Sequence, residues 1–211
     1  MNSNIKNTKE TFARLFVLAV QNKINFSSFT YLLERSKFIS IVESGVYNDY
    51  LNKPLTEIFF DITGNIINEN SSYGIFNDAY WCGYSFFELF LRTHKPFSYI
   101  FLKLPFEKLM EVYSIYHEMD FSSLLAYFNE QEKKFTILRL LCKNKKVSLP
   151  ELSSLTGINR ATLSKYNAGD EFIYKASFQN IVIISNVLDT PINLFIEKLF
   201  LKELAKIRAI Q

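Results

Sequence analysis

Residues 148–169 carry the sequence SLPELSSLTGINRATLSKYNAG, which predicts two short helices joined by a tight turn. Ser148 and Glu151 have the spacing of a capping box, in which each side chain satisfies a backbone N–H group at the start of a helix. The first helix is therefore expected to begin at about Leu149. Gly157 follows at the position where a residue in the left-handed conformation ends a helix.

The second helix of the pair is predicted between residues 159 and 169. Asn159 is a good N-cap residue, and Gly169 is a stop signal. Ile158 can fill the angle between the helices, and apolar residues three positions apart are expected to face inward from both of them. These inward-facing residues are Leu152 and Leu155 in the first helix and Leu163 and Tyr166 in the second. The stretch therefore predicts a helix-turn-helix.

The sequence on either side extends this pair to five helices. Residues 132–143 predict a preceding helix whose buried side holds Phe135, Leu138, Leu141 and Cys142. Residues 177–195 predict a fourth helix, a short turn and the start of a fifth. Over about residues 131–196 the chain resembles the DNA-binding domain of the lambda Cro and repressor family. The resemblance implies a five-helix domain that binds double-stranded operator DNA.

The same resemblance implies which residues touch DNA, because in this family the second helix of the pair enters the major groove. Its base-facing positions are Asn159, Arg160, Ala161, Thr162, Ser164 and Lys165. Arg160 can donate two hydrogen bonds to guanine O6 and N7, and Lys165 can reach guanine or a phosphate. Thr162 and Ala161 can meet a thymine methyl group. Phosphate contacts are expected from Ser148, Asn167 and Lys175.

Two features of the pair depart from the family pattern. Leu149 stands where the family often has a glutamine that touches phosphate, and Asn167 stands where a glutamate is usual. Asp170 and Glu171 add two negative charges just past the reading helix, which is unfavourable beside a phosphate path. A helix-turn-helix reused for protein contact is therefore a second interpretation, beside DNA binding.

Composition and charge indicate a globular chain with two parts. Apolar residues make up 48% of the 211 residues, and Gly and Pro number only 6 and 5, which excludes disordered and fibrous classes. Residues 131–211 hold 13 Lys and Arg against 7 Asp and Glu, giving +6, whereas residues 1–130 hold 11 against 14, giving −3. We therefore predict a DNA-binding domain at 131–211 and a partner-binding domain at 1–130, with a point of subdivision near 64–74.

Helical spacing of apolar residues runs through residues 1–130, so the whole chain is predicted to be all-α. The predicted helices cover residues 8–23, a segment capped by Asn25 or Ser27, residues 36–44 before Gly45, a segment between Pro54 and Gly64, residues 76–92, segments beginning near Pro96 and Pro105, and residues 120–130. No alternating pattern typical of strands with hairpin turns occurs between them.

Aromatic residues are concentrated in the first domain, where 27 of the 34 lie. One interpretation is that they fill the core of a small helical domain. The other is that part of them forms an apolar docking face for a protein, centred on Tyr80, Trp81 and Tyr84. The stretches 79–84 and 113–121 are similar to a helical domain of uncharacterised, antitoxin-like bacterial proteins. That similarity implies a protein partner such as a cognate toxin.

The sequence shows no catalytic constellation. His94 and His117 are the only histidines, and residues 117–120 lack the second histidine of a helical zinc protease site. No glycine-rich phosphate loop occurs, so no enzyme activity, metal or cofactor is expected. Cys82 and Cys142 are expected to be buried thiols in a reducing compartment. Neither a signal peptide nor a membrane span is predicted, and a cytoplasmic location is expected.

The order of the domains is similar to that of antitoxins that neutralise a toxin with one part and repress their own operon with the other. Operator symmetry normally requires a dimer. Residues 192–210 predict an apolar-striped helix that either supplies the dimer seam or packs on its own chain, with Phe195, Leu199, Phe200, Leu204 and Ile207. The prediction is an autoregulating repressor. The alternatives are a protein-interaction module with a vestigial helix-turn-helix and a ligand-sensing regulator.

Overall fold

The computed structural model describes residues 3–46, 48–65, 76–192 and 194–195, and these residues form an all-helical protein. Within them there are α-helices and one short 3-10 helix but no β-strand, so the predicted all-α class is confirmed. The chain divides into two compact units, Met1–Ala126 and Tyr127–Gln211. None of the described helices combines the length and the apolar character needed to cross a bilayer.

The first unit, unit 1, contains α1 (Ser3–Gln21), α2 (Phe26–Glu34), α3 (Lys37–Ser44), the 3-10 helix (Asp49–Asn52), α4 (Leu55–Thr63), α5 (Asn77–Thr93), α6 (Phe97–Lys103), α7 (Phe106–Glu111) and α8 (Tyr113–Tyr116). Helix α9 (Phe121–Lys134) contains the point of division. The second unit, unit 2, continues with α10 (Ile137–Lys145), α11 (Leu149–Thr156), α12 (Arg160–Ala168), α13 (Asp170–Ile173) and α14 (Phe178–Val187).

Local capping residues determine several helix ends in unit 1. Asn25 Oδ1 accepts a hydrogen bond from Ser28 N at 3.2 Å and so caps α2. Ser36 caps α3 in the same way. Gly45 and Gly64 end α3 and α4 in the left-handed conformation, with φ of 66° and 68°. These ends agree with the sequence prediction because the capping groups lie within a few residues of the helices they cap.

The centre of unit 1 is the pair α1 and α5. Gly83 permits a close approach, since a Cβ atom there would lie 2.8 Å from Ala13 Cα. Phenylalanine rings surround this contact, and the Phe12 and Phe97 centroids are 4.7 Å apart. The largest fully buried side chains of unit 1 include Phe12, Phe16, Phe29, Phe38, Phe59, Phe86 and Phe97. Phenylalanines of this domain therefore fill its core.

A polar seam runs along the same helix pair. Lys9 is only 4% exposed, and its ammonium group donates to Tyr84 Oη at 2.7 Å and pairs with Glu88. Burial lowers the pKa of Lys9, but hydrogen bonds to Glu88 and Tyr84 outweigh it, so the pKa is raised above its ordinary value. The ammonium group is therefore a structural cation that joins α1 to α5.

Several helix bounds differ from the prediction, since α1 begins at Ser3, α9 runs past residue 130, and α8 and α13 are additional short helices. The largest difference is near residue 135. The helix predicted over residues 132–143 is divided, because α9 continues to Lys134 and α10 begins only at Ile137. Thr136 causes the new start, since its Oγ1 accepts a hydrogen bond from Arg139 N at 3.3 Å. Phe135 lies in the break and is 41% exposed, so its predicted burial is wrong. Ile137, which is fully buried, takes its place.

The predicted burial of Cys82 and Cys142 is confirmed, since both are buried free thiols whose pKa values are raised by burial. Two other predictions fall largely outside the described residues. These are the subdivision near 64–74 and the apolar-striped helix over 192–210. Within the latter, Leu194 and Phe195 are described and are 2% and 1% exposed. Leu199, Phe200, Leu204 and Ile207 lie outside the described residues.

Candidate nucleic-acid interface

Helices α11 and α12 are joined by a short turn, and the predicted capping residues lie at the ends of these helices. Ser148 Oγ accepts a hydrogen bond from Glu151 N at 3.3 Å, and the Glu151 carboxylate accepts one from Ser148 N at 3.4 Å. This is the predicted capping box. Gly157 ends α11 with φ of 69°, and Asn159 caps α12 by accepting from Ala161 N at 2.8 Å. The predicted bounds of both helices are confirmed.

The inner face of this pair holds four buried residues. Leu152 and Leu163 have no exposed surface, and Ile158 and Tyr166 are each 7% exposed. Tyr166 Oη also accepts a hydrogen bond from Asn180 Nδ2 on α14 at 3.1 Å. Apolar contact therefore holds α11 against α12, and the hydrogen bond from Asn180 joins α12 to α14.

Leu155 does not belong to this inner face, and its predicted inward position is wrong. It is 58% exposed, although it lies three residues from the fully buried Leu152. Three residues of an α-helix leave side chains about 60° apart around the axis. Leu155 lies in the last turn of the short helix α11, and this offset places its side chain outside the buried inner face that contains Leu152.

The outer face of α12 is a narrow exposed strip, which we call the reading strip. Its exposed residues are Arg160, Ala161, Ser164, Lys165 and Ala168, with Thr162 half-buried at its edge. Three of these side chains are short, so the helix axis can come close to a flat or concave surface. Arg160 and Lys165 extend from the strip and can reach further. This shape suits a helix that enters the major groove of DNA.

The two long cations of the reading strip differ in what restrains them. Lys165 Nζ lies 5.4 Å from the ring centroid of Phe172 on α13, which holds it by a cation–π contact. Arg160 is exposed and forms no ion pair with any residue in the described part of the chain. Its guanidinium group is therefore available for an outside acceptor.

The three residues predicted at phosphates lie at helix ends or in a connection. Ser148 is the N-cap of α11, and its side-chain oxygen is already used in the capping box. Asn167 is half-buried in the last turn of α12. Lys175 is exposed in the segment between α13 and α14. Ser148 and Lys175 are thus exposed and can meet an anion, whereas the Asn167 side chain is only partly open.

The two acidic residues past α12 have different environments. Asp170 is half-buried, and its Oδ1 accepts a hydrogen bond from Ile137 N at 2.6 Å. A carboxylate at the start of a helix such as α10 is stabilised by the helix dipole. Glu171 is exposed and folds back over Gly169. One of the two charges counted against DNA binding is therefore used inside the fold, a contact between residues too far apart for the sequence to indicate.

Tyr80, Trp81 and Tyr84 all make contacts within unit 1. Tyr80 Oη donates to Glu10, and burial together with this bond raises the pKa of Tyr80 to about 12. Tyr84 is 36% exposed, and its hydroxyl and ring both contact Lys9. The Trp81 ring stands edge-on to Tyr113 at 5.4 Å. The hydroxyl groups of Tyr80 and Tyr84 are engaged in the fold, and the three rings remain partly at the surface.

Comparisons of the chain with models of protein families, with curated proteins and with solved structures find no match.

Proposed function

We propose that this protein is a sequence-specific DNA-binding transcriptional repressor in which α11 and α12 act as a Cro/repressor-like helix-turn-helix. The observation that carries the proposal is the two-sided character of α12. Leu163 and Tyr166 are buried on one side, while the reading strip on the other side presents Arg160 and Lys165 between short side chains. A helix built in this way can enter the major groove without losing its contacts to the rest of unit 2.

In this proposal the long cations read bases and the ends of the pair hold the backbone. Arg160 donates two parallel hydrogen bonds to guanine, and Lys165 reaches guanine or phosphate from its place on Phe172. Asn159, Ala161, Thr162 and Ser164 complete the base-facing set. Ser148, Asn167 and Lys175 contact phosphates and set the register. The excess of positive charge in residues 131–211 supports binding to a polyanion.

The proposal extends to a homodimeric, antitoxin-like autoregulator that acts in the cytoplasm. A palindromic operator is matched by a two-fold symmetric protein. In this arrangement unit 1 binds a protein partner such as a cognate toxin, and the complex changes the affinity for the operator. The support for this part is the order of the two domains and the resemblance of residues 79–84 and 113–121 to antitoxin-like helical domains.

A second candidate function is a protein-interaction module without DNA binding. It is favoured by two large apolar side chains at the surface of unit 2. Leu155 on α11 is 58% exposed, and Phe178 on α14 is 68% exposed. Exposed apolar residues on packed helices are common at protein interfaces.

The test is a footprint on the DNA upstream of this protein's own gene, with and without the product of the neighbouring gene. Three proteins are compared: the wild type, Arg160→Ala and Lys108→Ala. Lys108 is an exposed cation of α7, so its replacement removes one positive charge outside unit 2. We expect an inverted repeat to be protected by the wild type and by Lys108→Ala, and protection to be lost in Arg160→Ala.

The outcomes separate the two candidates. Protection that the neighbour's product strengthens or weakens would support an autoregulating repressor with a partner-binding unit 1. If the wild type protects no sequence even at low salt, with or without the neighbour, the repressor proposal is wrong. A neighbour complex that forms equally well with Arg160→Ala, without any footprint, would favour the protein-interaction module.

A further inference from the structure

The end of α12 and the first residue of α13 are tied to the start of α10 by two hydrogen bonds. Thr136 Oγ1 donates to the backbone oxygen of Asn167 at 3.3 Å, and Ile137 N donates to Asp170 Oδ1 at 2.6 Å. The partners are 31 and 33 residues apart in the chain, so these are tertiary contacts and not local caps.

These bonds satisfy groups that each helix end leaves without a partner. The first N–H groups of a helix and its last carbonyl groups have no acceptor or donor within the helix. At the start of α10, Thr136 accepts from Arg139 N, and Asp170 accepts from Ile137 N. At the end of α12, the Asn167 carbonyl oxygen accepts a hydrogen bond from the Thr136 hydroxyl group. The two helix ends therefore complete one another.

We propose that Thr136 and Asp170 are positioning residues that fix the orientation of the reading strip. Helix α12 is nine residues long. Its buried anchors Leu163 and Tyr166 make mainly apolar contacts, which restrict rotation about the helix axis poorly, and Tyr166 Oη adds one hydrogen bond, accepted from Asn180 Nδ2 on α14. Directed hydrogen bonds at one end define that rotation. Base recognition needs side chains placed to within about 0.5 Å, so this restraint controls which bases are read. The effect of this restraint on DNA recognition rests on the proposed function.

The test compares Asp170→Ala with two matched variants. Asp170→Asn keeps an oxygen acceptor for Ile137 N while removing the charge. Glu171→Ala removes the neighbouring charge from an exposed side chain and leaves the Asp170 bond intact. Two hydroxyl variants complete the set: Thr136→Val removes the hydroxyl at nearly constant shape, and Thr136→Ser keeps it.

The first measurement is amide hydrogen exchange without DNA. In Asp170→Ala we expect exchange in α12 and in the first turn of α10 to rise at least tenfold, while α14 keeps its wild-type protection. Asp170→Asn, Glu171→Ala and Thr136→Ser should behave like the wild type, and Thr136→Val should resemble Asp170→Ala. Unchanged exchange in Asp170→Ala and Thr136→Val, or a rise of equal size in every helix of unit 2, would overturn the proposal.

The second measurement is fluorescence anisotropy with operator DNA and with unrelated DNA of equal length. We expect Asp170→Ala to weaken operator binding more than tenfold and binding to unrelated DNA less than threefold, after correction for the folded fraction. A purely stabilising role would leave the ratio of the two affinities unchanged and would overturn the positioning role. If the wild type binds no DNA, the proposed function fails, and hydrogen exchange still decides whether these bonds hold α12. If Asp170→Ala does not fold, the Thr136 variants decide both measurements.

Discussion

A Cβ atom on Gly83 of α5 would lie 2.8 Å from Cα of Ala13 on α1, because the two helix backbones come into direct contact at this point. Backbone atoms cannot rotate away as a side chain can. In the interior of a helix, alanine is favoured over glycine by about 1 kcal/mol. Overpacking a filled core costs about 1–3 kcal/mol, so the steric cost outweighs the gain in helix propensity.

We therefore predict that Gly83→Ala destabilises unit 1 by up to about 2 kcal/mol. Thermal unfolding followed by circular dichroism measures this as a lower Tm. An equal or higher Tm would show that α1 and α5 can move apart without losing the contacts between their phenylalanine rings.

Two leucines of α11 form a matched pair for testing the core of unit 2. Leu152 is fully buried and Leu155 is 58% exposed. Leu152→Ala should lower the free energy of unfolding by about 2–5 kcal/mol, because it leaves a cavity between α11, α12 and α14. Leu155→Ala should change it by less than about 0.5 kcal/mol. Denaturant unfolding of both variants provides the comparison, and equal losses would contradict the arrangement of α11.

The carboxyl group of Glu43 makes the stability of unit 1 depend on pH. Burial raises the pKa of Glu43 to about 7, nearby Glu34 also raises it, and the hydrogen bond from Phe97 N at 2.8 Å opposes the shift. The folded-state pKa lies above the ordinary value of 4.5, so the folded protein binds this proton more tightly than the unfolded chain does. The resulting stabilisation is complete below about pH 4.5 and is lost as the pH rises through about 7.

Glu43→Gln, which remains neutral, should therefore be more stable than the wild type at pH 8, by at most about 3 kcal/mol. Near pH 4 the two proteins should have similar stability. Thermal unfolding across this range tests the prediction, with Glu107→Gln on α7 as an exposed control. A wild type that is as stable as Glu43→Gln at pH 8 would show that the ionised carboxylate is tolerated in the fold.

Arg160 and Lys175 should have separable effects on DNA binding. Arg160→Ala should cost about 1–3 kcal/mol on the operator and relax the preference at one base position. Lys175→Ala should weaken binding to all sequences to a similar degree. It should also lower the slope of log affinity against log salt concentration by about the amount expected for one phosphate contact. Titrations over a range of salt concentrations distinguish the two. Equal losses on operator and on unrelated DNA for both variants would contradict base reading by Arg160.

Sequence signals were sufficient where the decisive groups lie close together in the chain. Ser148 with Glu151 predicted the start of α11, and Gly157 predicted its end. Ser177 caps α14, so this helix begins within the segment where the fourth helix was predicted. Capping is a short-range interaction between a side chain and backbone groups two or three residues away, so its residues can be identified without knowledge of the fold.

Contacts between distant parts of the chain account for what the sequence did not predict. Thr136 carried a capping signal, but the apolar Phe135 fitted the helical spacing and masked the break before α10. The exposure of Leu155 depends on where α11 ends against its neighbours. The hydrogen bond between Asp170 and Ile137 joins residues 33 positions apart. Neither residue type nor spacing contains that information.

The seam between α1 and α5 also affects how the chain is synthesised. Lys9 and Glu88 are 79 residues apart, so the apolar face of α1 lacks its main partner until α5 has left the ribosome. At ordinary rates of translation the interval between the end of α1 and the end of α5 is about 4–14 s. During that time Phe12, Leu15 and Phe16 form a nascent apolar surface of the kind that chaperones bind.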